Sequence, residues 1–182
     1  MSRISIPTVE QSLDASKPLL AAVEKQLGVV PNLMKLVGHS PAALEGYLAL
    51  NGALNKGRLS HPLRERIALA IAEFNGCDYC LSVHSYLSSN VAKISASEID
   101  AARDGRSEDA RTAAALHFAR RVAETRGQVS DADLAALRAA GFEEAAVLEI
   151  VLNVALNVLT NYVNNVAQTD IDFPKVVARL AA

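Results

Sequence analysis

Two cysteines and a histidine lie close together in the chain, which contains no other cysteine. Cys77 and Cys80 are three positions apart, and His84 follows four positions after the second thiol. If this segment is helical, the three side chains lie at i, i+3 and i+7, along one face of about two turns. Paired thiols with an imidazole within reach are typical of redox chemistry or of metal binding.

A glycine in front of the cysteines favours the first of these chemistries. Gly76 is expected to end one helix, so that Cys77 and the second thiol lie in the first turn of the next. The unpaired N–H groups and the dipole at that end favour an anion, which lowers the pKa of a thiol. His84 could exchange a proton with the sulfur directly or through water. The carboxylate that orients the imidazole could be Glu65 or Glu73, although Glu73 is expected near a helix end, in solvent.

Helical periodicity runs through nearly the whole chain, and no segment shows the alternation of a strand. The predicted helices cover residues 12–27, 31–37, 41–56, 61–75, 77–90, 95–104, 108–125, 131–140, 143–168 and 176–180. The connections are short, and no proline-rich linker separates two halves. The sequence therefore predicts one all-α domain over residues 1–182, with the thiol-site core at about 60–93.

Composition limits the partners of this chain. A net charge of −2 gives no indication of a nucleic acid or an anionic membrane as a partner. Hydrophobic residues make up 51% of the chain but aromatic residues only 4%, which is the composition of closely packed helices. A monomer of 182 residues would have difficulty burying so much apolar surface. We therefore expect a homo-oligomer, either a trimer or a hexamer.

Nothing in the sequence indicates export or membrane insertion. The first residues lack the apolar run and cleavage site of a signal peptide. The most apolar segment, residues 150–166, is interrupted by asparagines and is no uniform membrane span. We therefore expect a cytoplasmic protein, in whose reducing surroundings neighbouring cysteines are reactive rather than structural.

Asparagines mark the long helix near the C-terminus. Asn153, Asn157, Asn161 and Asn165 recur every four residues, and Asn164 is adjacent. A buried amide without partners costs about 1–3 kcal/mol. The stripe therefore either lines a polar pocket or a subunit interface, or marks the solvated edge of the helix; we favour a buried, hydrogen-bonded role.

The segment from residue 64 to residue 87 resembles the signature of the alkylhydroperoxidase D-like family, which is grouped with the carboxymuconolactone decarboxylases. That signature is a glutamate, eleven residues, Cys-x-x-Cys, three residues and a histidine, and Glu65, Cys77, Cys80 and His84 match every element and gap. Segments 5–7, 28–32 and 161–174 resemble the peroxidase-related branch, so the likeness covers most of the chain. The resemblance implies an alkylhydroperoxidase D-like helical bundle.

The resemblance also implies roles for these residues. Cys80 would be the peroxidatic thiolate, oxidised to a sulfenic acid by a hydroperoxide, and Cys77 would resolve it as a disulfide. Glu65 and His84 would form the proton relay. The function implied is a thiol-dependent peroxidase or disulfide reductase for organic hydroperoxides or hydrogen peroxide, with an external dithiol as reductant and no cofactor. Tyr79 departs from the family pattern, because a phenol replaces a histidine that precedes the second cysteine and is a poor base.

The thiol motif has other interpretations. Structural zinc needs four ligands, and His39, His61 and His117 are scattered singly, with His61 expected to face solvent. Two inert cysteines that merely pack in the core are a further alternative, which we weigh no higher than zinc. The family also contains decarboxylases that do not need the cysteines, and a redox sensor without turnover is a further alternative.

A second set of residues repeats the spacing of the thiol signature. Its members are Glu149, Asn161, Asn164 and Gln168. The repeat could record a duplicated helix pair whose second copy lacks thiols, and chance coincidence is the alternative.

Overall fold

The computed structural model describes residues 2–179, and the regular structure in this part of the chain is entirely α-helical. The helices are α1 (Lys17–Leu27), α2 (Asn32–Val37), α3 (Pro41–Leu54), α4 (His61–Phe74), α5 (Asp78–Asn90), α6 (Ala96–Arg103), α7 (Ala110–Glu124), α8 (Asp131–Ala139) and α9 (Glu144–Ala167). The predicted all-α fold class is therefore confirmed.

Short polar residues fix the starts of several helices. The side chains of Ser40, Ser60 and Ser95 each accept a hydrogen bond from the backbone N–H three residues later. Ser130 and Asp133 form a reciprocal capping box at the start of α8. Because each cap satisfies a backbone donor that the helix itself leaves unpaired, these starts were predictable to within a residue.

α4 is the central helix of the bundle and packs against α5, α6, α7 and α9. Residues 67–72, in the middle of α4, are each at most 2% exposed. A helix enclosed on all sides has little freedom to move, so the polar side chains that it carries are held in fixed positions. Glu65, two residues before this segment, is one of them.

The first helix is shorter than the sequence predicted. It begins at Lys17 rather than at residue 12, with Pro18 in its first turn. The residues before it form turns in which the Ser12 hydroxyl donates to the Thr8 carbonyl and the Ser16 hydroxyl donates to the Gly38 carbonyl. These side-chain hydrogen bonds compete with helix formation, which explains the later start.

The predicted last helix, 176–180, is wrong for the residues that the structure describes, and residue 180 lies outside them. The chain from residue 176 to residue 179 is not helical. It follows the outer side of α5, where the Ser82 hydroxyl accepts from the Val176 N–H and the Asp78 carboxylate accepts from the Ala178 N–H. These side-chain acceptors take the backbone donors that a helix would have used internally.

α9 combines a long apolar sequence with a partly buried position. Its length and composition alone would suffice to cross a membrane, but half of its most apolar 18-residue window is buried inside the protein. Core helices of folded domains have the same composition, and α9 packs against α3, α4, α5 and α7. We therefore treat α9 as a core helix.

Candidate active site

The turn between α4 and α5 places both cysteines. Gly76 has a φ of +61°, and the Cys77 N–H donates to the Ala72 carbonyl, as in a Schellman motif. Cys77 is also the N-cap of α5, and its sulfur accepts a hydrogen bond from the Cys80 N–H at 3.4 Å. The predicted helix break at Gly76 is confirmed, and the position of the thiols at a helix start follows from it.

The two thiols differ in acidity. Hydrogen bonding with the Cys77 side chain is the largest cause that shifts the Cys80 pKa, and together with the charge of His84 it outweighs burial and lowers that pKa to about 7. The same hydrogen bond and burial raise the pKa of Cys77. Both are free thiols, with Cys77 0% and Cys80 3% exposed. The arrangement therefore favours a thiolate at Cys80 and a protonated donor at Cys77.

Of the two candidate carboxylates, Glu65 reaches the imidazole: its Oε2 lies 2.9 Å from His84 Nδ1. Burial alone would raise the Glu65 pKa, but the charge of His84 and hydrogen bonds from His61 and His84 lower it to about 2. Burial acts to lower the His84 pKa, yet the attraction of Glu65 gives a net rise. Each of these two partly buried groups thus favours the charged form of the other.

The imidazole acts on the thiol through its charge. The positive charge of His84 lowers the pKa of Cys80, and the charge of the thiolate in turn raises the pKa of His84. In the hydrogen-bond network of residues 2–179, the ring nitrogen that bonds is Nδ1, and its partner is Glu65. The other ring nitrogen is therefore available for a proton transfer on the thiol side.

His61 contacts Glu65, although the sequence analysis expected it to face solvent. Its Nε2 lies 3.3 Å from Glu65 Oε1, and its side chain is 40% exposed, compared with 21% for that of His84. The Glu65 carboxylate therefore lies between a solvent-exposed imidazole and a more buried one. The i, i+4 spacing of His61 and Glu65 at the start of α4 was the available sequence signal.

Glu73 was expected in solvent, and this expectation is wrong. Its side chain is 2% exposed, and it accepts hydrogen bonds from Arg103 Nε at 2.6 Å and from the backbone N–H of Arg179. The segment after α9 and helix α6 cover the end of α4, which the sequence did not indicate. Glu73 therefore holds the segment that follows α9, through the Arg179 N–H, and is not the partner of His84.

Tyr79, which replaces a family histidine, contacts α2 through its phenol. The phenol oxygen accepts a hydrogen bond from the Leu33 N–H at 3.0 Å, and the ring meets the Phe173 ring edge-on. Burial, with Asp172 nearby, raises the Tyr79 pKa, so the group stays neutral. Its contacts hold the first turn of α5 in place, and it has no acid–base partner in the Glu65–His84 pair.

Two asparagines of α9 complete the surroundings of Cys80. Asn164 Nδ2 donates to the Cys80 sulfur at 3.3 Å, and the nearby Asn161 amide is a further cause that lowers the thiol pKa, although Asn161 Nδ2 has no hydrogen-bond partner among residues 2–179. The stripe predicted from sequence is thus buried at Asn161 and Asn164, but Asn165 is exposed and donates to the Asn75 carbonyl. A helix turns 100° per residue, so a spacing of four gradually leaves the buried face.

Tyr47, on α3, is a site residue that the sequence analysis missed. Burial, together with the negative charges of Cys80 and Glu65, raises the pKa of Tyr47 to about 12. Its phenol therefore stays protonated beside two anionic groups. One tyrosine in an amphipathic helix gives no sequence signal for such a position.

The described residues, 2–179, contain no group of three or more His, Cys, Asp and Glu side chains arranged to hold a metal ion. The site contains the thiol of Cys80, whose pKa is lowered, and a second free thiol that is hydrogen-bonded to Cys80. It also contains the Glu65–His84 pair, and His61 contacts Glu65 from the solvent side. This set can perform nucleophilic attack by sulfur, thiol–disulfide exchange and proton transfer.

Comparison with known proteins agrees with the sequence signature. Residues 41–125 match the carboxymuconolactone decarboxylase family, and this region contains all four signature residues. No protein with a curated function matches the chain.

Solved structures share the fold over nearly the whole chain. The alkylhydroperoxidase AhpD core of a peroxidase-related protein from Ralstonia eutropha JMP134 has a TM-score of 0.84 at 26% identity, covering 94% of this chain and 92% of that one. A peroxidase-related protein from Silicibacter sp. TM1040 has a TM-score of 0.81 at 22% identity, with 93% and 91% covered. The debrominase Bmp8 has a TM-score of 0.75 at 21% identity, covering 92% of this chain and 94% of that one. The Silicibacter and Bmp8 structures show the fold alone. All three structures, together with the family match, confirm the predicted alkylhydroperoxidase D-like bundle.

Proposed function

We propose that this protein, whose residues 41–125 match the carboxymuconolactone decarboxylase family, is a thiol-dependent peroxidase. Its substrates would be organic hydroperoxides or hydrogen peroxide, and an external dithiol would restore the enzyme. One observation carries the proposal: the pKa of Cys80 is lowered to about 7, and the free thiol of Cys77 is hydrogen-bonded to the same residue. An inert buried cysteine pair would have no reason for this acidity, because burial alone raises a thiol pKa.

The first half of the reaction oxidises Cys80. The thiolate attacks one oxygen of the hydroperoxide, an S–O bond forms, and the O–O bond breaks with its electron pair leaving on the other oxygen. The sulfur becomes a sulfenic acid. The departing alkoxide or hydroxide takes up a proton and leaves as an alcohol or water.

The second half of the reaction restores the thiols. Cys77 loses its proton and its sulfur attacks that of Cys80, so that an S–S bond forms and the sulfenic oxygen leaves as water. The hydrogen bond between the Cys80 N–H and the Cys77 sulfur keeps the two side chains close for this step. An external dithiol then reduces the disulfide by exchange, supplying two electrons and two protons.

The Glu65–His84 pair would carry the proton. A protonated His84 would stabilise the Cys80 thiolate by its charge and would supply the proton to the leaving oxygen. Glu65 holds the imidazole through Nδ1, which leaves Nε2 for this transfer. His61, on the other carboxylate oxygen, gives the buried pair a route for proton exchange with solvent.

The test is to mix reduced protein with hydrogen peroxide and, separately, with cumene hydroperoxide in a stopped-flow instrument. We expect the loss of two thiols per chain and a Cys77–Cys80 disulfide identified by mass spectrometry. Cys80→Ser should abolish the reaction, whereas Cys77→Ser should stop at the sulfenic acid, which dimedone traps. Thiols that stay titratable after prolonged exposure to both peroxides would refute the peroxidase proposal.

A decarboxylase is the second candidate, and the match of residues 41–125 to a family named for that activity favours it. Such an enzyme acts on a carboxylated lactone and does not need sulfur. Decarboxylation that persists in a Cys77→Ser/Cys80→Ser double variant, in a protein inert to peroxide, would select this candidate. Activity that is lost with Cys80 would exclude it.

A further inference from the structure

The buried asparagines of α9 are of two kinds. Asn153 Nδ2 donates to the Glu149 carbonyl, and Asn157 Nδ2 donates to the Asn153 carbonyl, each at 2.8 Å. These amides bond back to their own helix. Asn161 and Asn164, one and two turns farther along, instead point their amides toward other elements.

The second kind leaves polar atoms unpartnered beside the thiol. Asn164 Nδ2 donates to the Cys80 sulfur, but Asn164 Oδ1 has no hydrogen-bond partner among residues 2–179. Asn161 Oδ1 accepts from Asn75 Nδ2 at 2.9 Å, but Asn161 Nδ2 is likewise unpartnered. The two side chains are 0% (Asn161) and 2% (Asn164) exposed. Buried amide atoms without partners are uncommon in folded proteins, and these two belong to residues that both lower the pKa of the Cys80 thiol.

We propose that Asn161 and Asn164 are the hydroperoxide-binding residues of this site, a role that rests on the proposed peroxidase function. Asn164 Nδ2 holds the Cys80 sulfur anion. The free donor, Asn161 Nδ2, and the free acceptor, Asn164 Oδ1, bind the oxygen and the O–H of the incoming hydroperoxide.

The chemistry of a hydroperoxide fits this pair of atoms. The group has one O–H donor and two acceptor oxygens, and the site offers one free acceptor and one free donor. A hydroperoxide whose O–H is bound to Asn164 Oδ1 and whose oxygen is bound to Asn161 Nδ2 would be held by the amide that also donates to the Cys80 sulfur. As the sulfur attacks, negative charge grows on the leaving oxygen, and the amide N–H stabilises it until a proton arrives.

The amides also suit a site whose first turn carries Tyr79 instead of a histidine. The Tyr79 phenol oxygen accepts a hydrogen bond from the Leu33 N–H on α2. Amide N–H groups donate hydrogen bonds over the whole working pH range and never take the proton from the thiol. They can therefore orient a peroxide without competing with His84 for the proton.

The experiment compares two reactions of Cys80 in the same variants. Alkylation by iodoacetamide needs only the thiolate, whereas oxidation by hydrogen peroxide also needs the oxygen-binding groups. Both rates are measured from pH 5 to pH 10 for the wild type, Asn161→Ala, Asn164→Ala and the matched control Asn157→Ala. The control removes a buried amide of the same helix that bonds only to that helix.

We expect Asn164→Ala to move the alkylation midpoint upward by about one pH unit, through loss of a hydrogen bond to the anion. For Asn161→Ala, well above the midpoint, we expect peroxide oxidation about tenfold slower or more, with alkylation within about twofold of wild type. Asn157→Ala should match the wild type in both reactions. Circular dichroism checks folding, and Asn161→Leu, which keeps the side-chain volume, replaces the alanine variant if that fails to fold.

The two proposals fail in different ways. A wild type that is alkylated at Cys80 but inert to peroxide overturns the proposed function and, with it, this inference. A wild type that reacts with peroxide, but whose Asn161→Ala and Asn164→Ala variants behave like Asn157→Ala, overturns this inference alone. Equal slowing of both reactions in Asn161→Ala would also overturn it, because the amide would then act on the thiolate and not on the peroxide.

Discussion

Two parts of the chain carry the same spacing of polar residues and have different structures. In α4 and α5 the residues with this spacing are Glu65, Cys77, Cys80 and His84. In α9 and at its C-cap they are Glu149, Asn161, Asn164 and Gln168. The first set is divided by a turn, whereas Asn161 and Asn164 lie within one unbroken helix. The first part supplies the reactive groups, and α9 supplies an amide that contacts the Cys80 sulfur.

The difference begins at one backbone position. Gly76 adopts a φ of +61° and ends α4, so Cys77 caps a new helix with its sulfur against the Cys80 N–H. The equivalent position in α9 is Thr160, a non-glycine residue in regular helix, whose hydroxyl donates back to the Asn157 carbonyl. Without a break there is no free helix start in the middle of α9 to favour an anion.

The two glutamates differ in the same way. Glu65 lies between the imidazoles of His61 and His84, at 3.3 Å and 2.9 Å, and an imidazole is a group that can act as an acid or a base. Glu149 accepts hydrogen bonds from the backbone N–H groups of Arg58 (2.7 Å) and Leu59 (3.1 Å), in the loop before α4. Backbone N–H groups fix a loop but do not act as acids or bases near neutral pH, so equal spacing places one glutamate beside two imidazoles and lets the other anchor a loop.

Exchanging each glutamate for glutamine should separate the two roles most strongly. Glu65→Gln removes the charge that holds His84 protonated, so we expect the rate of Cys80 oxidation by hydrogen peroxide to fall about 100-fold or more. Glu149→Gln should leave this rate within about twofold while lowering the free energy of unfolding by about 1 kcal/mol. Stopped-flow oxidation and urea unfolding measure the two effects. A similar rate loss in both variants would contradict the division of roles.

Removing the helix break at Gly76 should have the next largest effect on the thiol chemistry. Gly76→Ala places a side chain at a φ of +61°, which costs about 1–2 kcal/mol and favours rotation of the turn away from the left-handed region. Rotation would weaken the Cys77–Cys80 hydrogen bond that acidifies Cys80, so we expect alkylation by iodoacetamide at pH 7 to slow about tenfold.

The matched control for this variant is Gly28→Ala. Gly28 has a φ of +76° with open space around it, so the backbone strain is similar but the site is not touched. We expect it to lose a similar free energy of unfolding and to keep wild-type alkylation. If Gly28→Ala slows alkylation as much as Gly76→Ala, the thiol site responds to overall stability and not to the turn.

The ion pair of the first part should also give it a distinct pH dependence. The Glu65 pKa is lowered to about 2, so its contribution to stability is present above its unfolded pKa and is lost as the pH falls toward 2. The His84 pKa is raised above 6.5, so its contribution is present below 6.5 and is lost as the pH rises through the folded value. Both contributions are therefore complete between about pH 4.5 and 6.5.

Urea unfolding of the wild type and Glu65→Gln at pH 3, 5.5 and 9 tests this window. We expect the stability difference between the two proteins to be largest at pH 5.5 and smaller at both other values. A difference that stays constant with pH would mean that Glu65 is not ionised beside a charged His84.

Local signals account for what the sequence predicted well. Serine caps and glycine stops placed most helix boundaries because these residues satisfy backbone groups within a few positions. The spacing of Cys77, Cys80 and His84 predicted a shared site, and the resemblance to the family signature added Glu65. The structure brings all four residues together.

Long-range contacts account for what it missed. Burial of Glu73 needs Arg103 and the residues after α9, which are far away in sequence. The approach of Asn164 to Cys80 joins residues 84 positions apart, and no periodicity encodes such a contact. Which amides of the stripe face the thiol therefore became clear only from the packing of α9 against α5.

The outer face of α9 should have the smallest effect on the chemistry, and it bears on the predicted homo-oligomer. The residues of this face are exposed and recur at spacings of four and three: Leu148, Leu152, Ala155, Leu159, Tyr162 and Val166. Alternating spacings of four and three make the seven-residue repeat of helices that pack knobs into holes, and the same helix of a second copy presents a matching face. Such a seam pairs chains two by two, which fits a hexamer built of dimers better than a trimer.

Light scattering should therefore give the wild type a mass that is a multiple of 19.3 kDa, and Leu152→Asp a lower mass. Leu27→Asp is the control, because Leu27 is 50% exposed on α1 and Leu152 is 44% exposed on the proposed seam. Both variants should oxidise with peroxide within about twofold of the wild-type rate per chain, since Asn161 and Asn164 lie on the opposite face of α9. A monomeric wild type would refute the seam, and a large rate loss in Leu152→Asp alone would mean that the outer face of α9 also supports the thiol site.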